Sequence, residues 1–192
     1  NGAQNKITNA DGSKAEFEYN DDGTLSSIVN KTSADTIISS YSYAYDKAKN
    51  LIYKEETESG ADKGATKYTY DEANRLKTVT EPSNKQTSYT YDKAGNRIRK
   101  TDAQGEIRYL YNEKNQLVEE ESPADRKQFS YDRQGGIIEE KNAAGIRRFS
   151  YNSRHQQTRV ETETGSVQEN RYDAEGLRFE LLENGRRTSF VY

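Results

Sequence analysis

The chain has 192 residues and a net charge of −3, with 29 Lys and Arg against 32 Asp and Glu, so it lacks the basic face that a nucleic-acid partner requires. It contains no Cys, which excludes a disulfide framework and a cysteine-ligated metal site, and no run reaches membrane-spanning length. Hydrophobic residues make up 31% and charged residues 32%, a disorder-like balance, yet 15 Tyr and 5 Phe supply the apolar surface that disordered chains lack. No signal-peptide pattern opens the sequence, and there is no Met even at position 1, so it is read as a segment of a longer chain.

Residues 1–16 are expected to be a partly irregular lead-in. From Phe17 onward, Tyr followed by Asp or Asn returns at Tyr19, Tyr45, Tyr70, Tyr91, Tyr111, Tyr131, Tyr151 and Tyr172, and the chain stops on Tyr192. The gaps are 26, 25, 21, 20, 20, 20, 21 and 20 residues. A fixed period means one small unit stacked many times. Residues 17–192 are therefore read as about eight repeats and a truncated ninth.

Each repeat begins with a turn. Four residues past each Tyr stand Gly23, Lys49, Asn74, Gly95, Asn115, Gly135, His155 and Gly176. Six of these eight are Gly or Asn, which accept a left-handed backbone most readily. The Asp or Asn after the Tyr (Asp71, Asp92, Asp132 and Asp173 among them) suits the first position of a type I turn. The combination predicts a hairpin with a bulge. Similar chemistry recurs ten residues on, at Asp102 to Gly105, Asn142 to Gly145, Gly165 and Gly185, so the chain turns about every ten residues.

That spacing leaves antiparallel strands of about six residues. The Tyr and the residue two before it share a face. Phe17, Tyr43, Tyr68, Tyr89, Tyr109, Phe129, Phe149 and Phe190 fill that second slot, with Asn170 the exception. The residue six past the Tyr is expected opposite it. It is aliphatic at Leu25, Leu51, Leu76, Leu117 and Ile137, while Gln157 and Arg178 break the pattern. The repeat at Tyr91 is read with one extra residue and Ile98 as the partner. The opposite face is expected to be polar, with Glu139, Glu140, Arg147 and Arg148 around one turn and Glu140 set against Arg148. Sixteen or more such strands exceed the roughly ten that a twisted open sheet tolerates, which predicts an all-β fold of one long curled sheet.

The Tyr-Asp-x-x-Gly-Asn-Arg-Ile of Tyr91 to Ile98, with its twenty-residue echoes from about Phe17 to Tyr192, resembles the YD repeat of the rearrangement-hotspot (Rhs) family. That family includes bacterial wall-associated polymorphic toxins, the C component of insecticidal toxin complexes, and teneurins. The resemblance implies hairpins wound into an arc of a hollow spiral β-shell. It also implies that this segment is wall, with the rest of the shell and an enclosed C-terminal toxin as partners, in a secreted or cell-surface protein. The family's self-cleaving Asp-Pro-x-Gly region is absent, since the two prolines, Pro82 and Pro123, follow Glu81 and Ser122.

No catalytic, cofactor-binding or metal-binding residues are assigned. The single His155 sits in the left-handed slot, where His is enriched, with no Ser, Cys or second imidazole to serve. The glycines belong to hairpins rather than to a phosphate loop. The reading is a non-catalytic structural module. The alternative is a carbohydrate- or cell-surface-binding repeat using exposed tyrosines, although such repeats lean on Trp and none is present. The cut strand edges of an excised segment are expected to associate with other copies.

Overall fold

A computed structural model describes residues 4–192, which form eighteen β-strands and no helix. The chain makes two compact units, Asn1–Thr90 with Lys100–Gln104, and Tyr91–Arg99 with Gly105–Tyr192.

The first unit carries β1 (Lys6–Thr8), β2 (Lys14–Tyr19), β3 (Leu25–Lys31), β4 (Ile37–Tyr45), β5 (Leu51–Glu58), β6 (Ala61–Tyr70), β7 (Leu76–Thr80) and nearly all of β8 (Gln86–Tyr91). Strand β9 (Arg97–Asp102) is divided between the units. The second unit continues with β10 (Gly105–Tyr111), β11 (Leu117–Glu121), β12 (Arg126–Tyr131), β13 (Ile137–Asn142) and β14 (Gly145–Tyr151). It closes with β15 (Gln157–Thr162), β16 (Val167–Tyr172), β17 (Arg178–Glu183) and β18 (Arg186–Ser189). From β1 to β8, and again from β10 to β18, each strand pairs antiparallel with the next. Of the expected lead-in, residues 1–3 lie outside the described residues. Within the remainder, β1 pairs with β2, so hairpins begin before Phe17.

The turn chemistry sets the register. All eight residues four past a Tyr have positive φ, from 58° at Asn74 to 94° at Gly135, including Lys49 at 65° and His155 at 59°. In the turn after Tyr91, Asp92 N–H donates to the Asn96 carbonyl at 2.9 Å and Gly95 N–H to the Asp92 carbonyl at 3.3 Å. Beyond the turn, Tyr131 pairs with Ile137 but Ser130 pairs with Glu139, so Ile138 is an unmatched bulge residue. The same slip follows Tyr19, Tyr45, Tyr70, Tyr111, Tyr151 and Tyr172. Because Gly meets no steric cost at positive φ, His155→Gly is expected to leave thermal stability unchanged or slightly higher. A clear loss in a melting experiment would show that the imidazole contributes more than a tolerated turn conformation.

Two sequence expectations are corrected here. Ile98 is not the partner of Tyr91: the Tyr91 turn has the ordinary length and β9 starts at Arg97, six residues past the Tyr. Glu140 does not face Arg148. Asn142 pairs with Gly145 across a two-residue turn, which sets Glu140 against Arg147 and Glu139 against Arg148. The absence of a bulge in this second turn type shifts the pairing by one, and one step changes the face. Glu140 also pairs with Phe129, and Glu120 with Tyr109, so these carboxylates lie on the aromatic face.

Neither face is covered by a second layer within a unit. Tyr109, at 8% exposure, is the one buried hydrophobic residue among those described, and Asn170 at 5% and Glu180 at 6% are deeper still. Stability therefore rests on contacts between neighbouring strands rather than on a packed core.

Candidate functional site: a tyrosine ladder between two rims of turns

The repeat tyrosines hold the wall together through their hydroxyls. Tyr19, Tyr45, Tyr70, Tyr91, Tyr111, Tyr131, Tyr151 and Tyr172 each end a strand. The Tyr131 hydroxyl donates to the Leu117 carbonyl at 2.6 Å, and Tyr151 to Ile137 at 3.0 Å. Tyr70 donates likewise to Leu51, Tyr111 to Arg97, Tyr172 to Gln157 and Tyr192 to Arg178, at 2.8–3.1 Å. In all six the acceptor is the residue six past the preceding repeat's Tyr. Each of these six phenols thus reaches back one repeat and satisfies a carbonyl at the close of the preceding turn. Tyr19 makes the corresponding bond to the Gln4 carbonyl at 3.1 Å.

The ring two residues earlier has a different task. It is Phe or Tyr indifferently. Where the aliphatic slot holds Arg, the guanidinium covers the ring: Arg97 lies 4.6 Å from the Tyr109 centroid and Arg178 4.9 Å from that of Phe190. The three breaks in the pattern meet in one place. Asn170 Nδ2 donates to the Gln157 carbonyl at 3.1 Å, beside the Tyr172 hydroxyl, and Asn170 Oδ1 accepts from Arg178 Nη1 at 3.2 Å. A buried polar group is tolerated there because its partners changed with it.

One rim of each unit is built from the Asp and Asn that follow the tyrosines. Asp132 Oδ1 accepts from the N–H groups of Gln134 and Gly136, and Asp71 Oδ1 from those of Ala73 and Arg75. Asp92 accepts from Asn96 N–H and Nδ2, and Asp173 from Leu177 N–H. Gly95, Gly135 and Gly176 supply the left-handed step in three of these turns. Adjacent turns are then cross-linked: Asn50 Nδ2 donates to Asn74 Oδ1 at 2.9 Å, Asn96 Nδ2 to Asn115 Oδ1 at 2.8 Å, and Gln156 Nε2 to the Gly176 carbonyl at 3.0 Å. At the other rim, Glu163 Oε2 accepts from Ile146 N–H at 3.2 Å and Asn184 Oδ1 from Val167 N–H at 2.9 Å. Pro123 closes over Gly105, where an added Cβ would lie 2.7 Å from its Cγ.

The charged side chains pair across rungs. Arg147 meets Glu140 at 2.6 Å, Arg148 meets Glu139 at 3.2 Å, and Arg126 meets Glu119 at 2.7 Å. Glu180 lies between Arg171 and Arg187, each at 3.0 Å. The arginine ends of these pairs are exposed, which keeps each pair weak, while Glu119, Glu140 and above all Glu180 are largely covered.

Burial raises the phenols of Tyr45, Tyr70, Tyr111 and Tyr131 above the ordinary tyrosine range. The Asp71 carboxyl is lowered, chiefly by the Arg75 backbone N–H, and Asp46 and Asp92 by the side chains of Asn50 and Asn96. A raised phenol contributes stability that is complete below about pH 10 and lost as pH climbs through the folded-state value. A lowered carboxyl contributes stability that is complete above about pH 4 and lost as pH falls through its own folded-state value. Stability is therefore expected to be flat between these limits and to fall on both sides. Urea midpoints against pH would read it, and a midpoint that rises above pH ~10 would contradict the ladder.

No group of three or more His, Cys, Asp or Glu side chains converges on a metal site among the described residues. The surface depressions repeat with the turns. One is bounded by Asn112, Lys114, Val118 and Tyr131, and another by the corresponding Asn152, Arg154, Thr158 and Tyr172. A feature that returns with the repeat is a consequence of hairpin spacing, not a unique site.

These features define a class of protein: a hairpin-repeat wall whose repeats are tied by tyrosine hydroxyls and turn side chains. The family model for the teneurin YD-shell matches residues 2–190, and the chain belongs to that family. Among curated proteins it is similar to the tRNA3(Ser)-specific nuclease WapA of Bacillus spizizenii, 27% identical over 125 residues, which are 62% of this chain and 5% of that protein. Among solved structures it is similar to TcdB2-TccC3-TEV, with a TM-score of 0.62, 16% identity and coverage of 100% of this chain and 14% of the other. It is also similar to the Photorhabdus luminescens Tc holotoxin pore carrying TccC3-D651A, with a TM-score of 0.63, 16% identity and coverage of 98% and 13%. At that identity the likeness is one of fold. The chain spans a small fraction of each of these relatives.

Proposed function

We propose that this chain is a stretch of wall in the hollow β-shell of a secreted or cell-surface protein, that the shell encloses a C-terminal toxin, and that the segment itself is not catalytic. The structural repeat residues named from the sequence are proposed as the wall's fasteners. One observation carries the reading: the repeat's most regular side-chain bonds run from one repeat to its neighbour and leave both faces single-layered. Such a wall extends by adding repeats and needs no core of its own. Membership in the YD-shell family and likeness to toxin-complex structures support it. The glycan-binding alternative gains nothing from the ladder, because the hydroxyls of Tyr19, Tyr70, Tyr111, Tyr131, Tyr151, Tyr172 and Tyr192 are engaged on carbonyls.

Protection is the test. In the full-length protein, with this segment in place in its shell, the C-terminal domain is expected to resist added protease. It should become cleavable when Tyr131→Ala and Tyr151→Ala together open the wall. Equal cleavage in both forms would sink the encapsulation reading. Soluble glycans and peptidoglycan fragments are expected to leave the tyrosine fluorescence of the segment unquenched, and saturable quenching would favour the alternative.

A further inference from the structure

Asn184 and Gly185 are the two central residues of the turn between β17 and β18, with φ of 48° and 84°. Both are exposed, and a Cβ placed on Gly185 would meet nothing within 4 Å. The amide nitrogen after Asn184 is therefore open to approach. The Asn184 side chain, by contrast, is held. Its Oδ1 accepts from Val167 N–H at 2.9 Å and from Ser166 Oγ at 3.0 Å. Two donors on one amide oxygen polarise its carbon and stand where negative charge would develop if a nucleophile added there, as in an oxyanion hole. The nucleophile is already in the chain: the Gly185 nitrogen, which no side chain shields. Its attack is intramolecular, which removes the entropic cost of encounter.

We propose that Asn184–Gly185 is a self-modification site at which the asparagine converts to aspartate and isoaspartate without an enzyme. The Gly185 nitrogen bonds to Asn184 Cγ and gives up its proton. The Cγ–Nδ2 bond breaks and ammonia departs with that proton, leaving a five-membered succinimide. Water then adds to either ring carbonyl, and opening yields aspartate or isoaspartate. No electrons change hands, so no oxidant or reductant is required.

The wall already shows what the aspartate product would do. One repeat earlier, the Glu163 carboxylate occupies the matching place and accepts from Ile146 N–H at 3.2 Å. An aspartate at 184 can keep the bond to Val167. The isoaspartate cannot keep the turn, because it routes the main chain through an extra methylene between the paired Glu183 and Arg186. The other asparagines at positive φ in turns, Asn74, Asn84 and Asn115, precede Arg75, Lys85 and Gln116 rather than Gly, and the N–H groups of Arg75 and Gln116 are already donated to Asp71 Oδ1 and Asn112 Oδ1 at 3.0 Å.

The test is slow incubation of the chain at mildly alkaline pH, with peptide mapping for ammonia loss and isoaspartate. Asn184 is expected to convert at least about tenfold faster than Asn74, Asn84 or Asn115. Ser166→Ala is expected to slow conversion by about threefold to tenfold, as removal of one donor to the developing oxyanion should. Conversion no faster than at the other three sites would overturn the proposal. So would an unchanged or increased rate in the Ser166→Ala chain.

Discussion

Tyr151→Ala is expected to cost about 3 kcal/mol of stability, among the largest losses available to a single substitution in this wall. Two contributions add. The hydroxyl donates to the Ile137 carbonyl at 3.0 Å, and loss of that bond leaves an acceptor beside the bulge without its donor, which costs about 1 kcal/mol. The ring lies across the preceding turn, where a Cβ on Gly136 would come within 3.2 Å of it. It also pairs across the strand with Gln157. Truncation removes these contacts and leaves a gap in a wall with no second layer to close it, for about another 2 kcal/mol. Tyr151→Phe should recover the second contribution and not the first. Urea unfolding of the three proteins separates the two, and a phenylalanine variant as stable as the parent would remove the hydroxyl from the account.

Gly105→Val is expected to destabilise by about 2–3 kcal/mol, more than Gly95→Val. Both glycines have positive φ, 125° and 93°, so a β-branched residue is strained at either. At Gly95 an added Cβ meets nothing within 4 Å, whereas at Gly105 it lies 2.7 Å from Pro123 Cγ. Proline cannot swing aside as a flexible side chain can, so the hairpin itself must move. Pro123→Ala should relieve part of the loss at Gly105 and none at Gly95. Thermal melts of the two pairs would show it, and equal losses at both glycines would mean that the rim contact carries no weight.

The turns were legible in the sequence because their chemistry is local. A left-handed residue four past the Tyr and an Asp or Asn one past it satisfy each other within five residues, and the register of Tyr131 with Ile137 follows by counting. Lys49 follows from its position alone, against its ordinary preference, and His155 from its position together with the enrichment of His in that conformation. The destination of the phenols was not legible. Their acceptors lie 14 to 19 residues back, and only the stacking of hairpins brings them near. A signal was nevertheless present. The slot before Asp or Asn is Tyr in every repeat, while the slot two earlier accepts Phe, which singles out a hydroxyl at one position and only a ring at the other.

Arg97 misled for a related reason. An aliphatic slot filled by arginine looks like a misregister, and shifting to Ile98 repairs the pattern on paper. In the fold the guanidinium lies over the Tyr109 ring, and the slot is filled without a shift. Gln157, Asn170 and Arg178 look like three defects along the chain and form one polar node in space. Glu140 is set on the wrong partner by counting because the turn at Asn142 to Gly145 is a bare two-residue turn, a second type beside the bulged one that follows Tyr131. A count calibrated on the bulged turn is wrong by one at the bare one.

The central claim is that the hydroxyl of the repeat tyrosine, rather than aromatic character alone, fastens one repeat to the next. Its most direct test compares the unfolding free energies of two triple variants. The first carries Tyr111→Phe, Tyr131→Phe and Tyr151→Phe, and the second Tyr43→Phe, Tyr68→Phe and Tyr109→Phe. The first should lose about 3 kcal/mol, about 1 for each bond removed, and the second less than about 1 in total. Equal losses in the two, or none in the first, would contradict it.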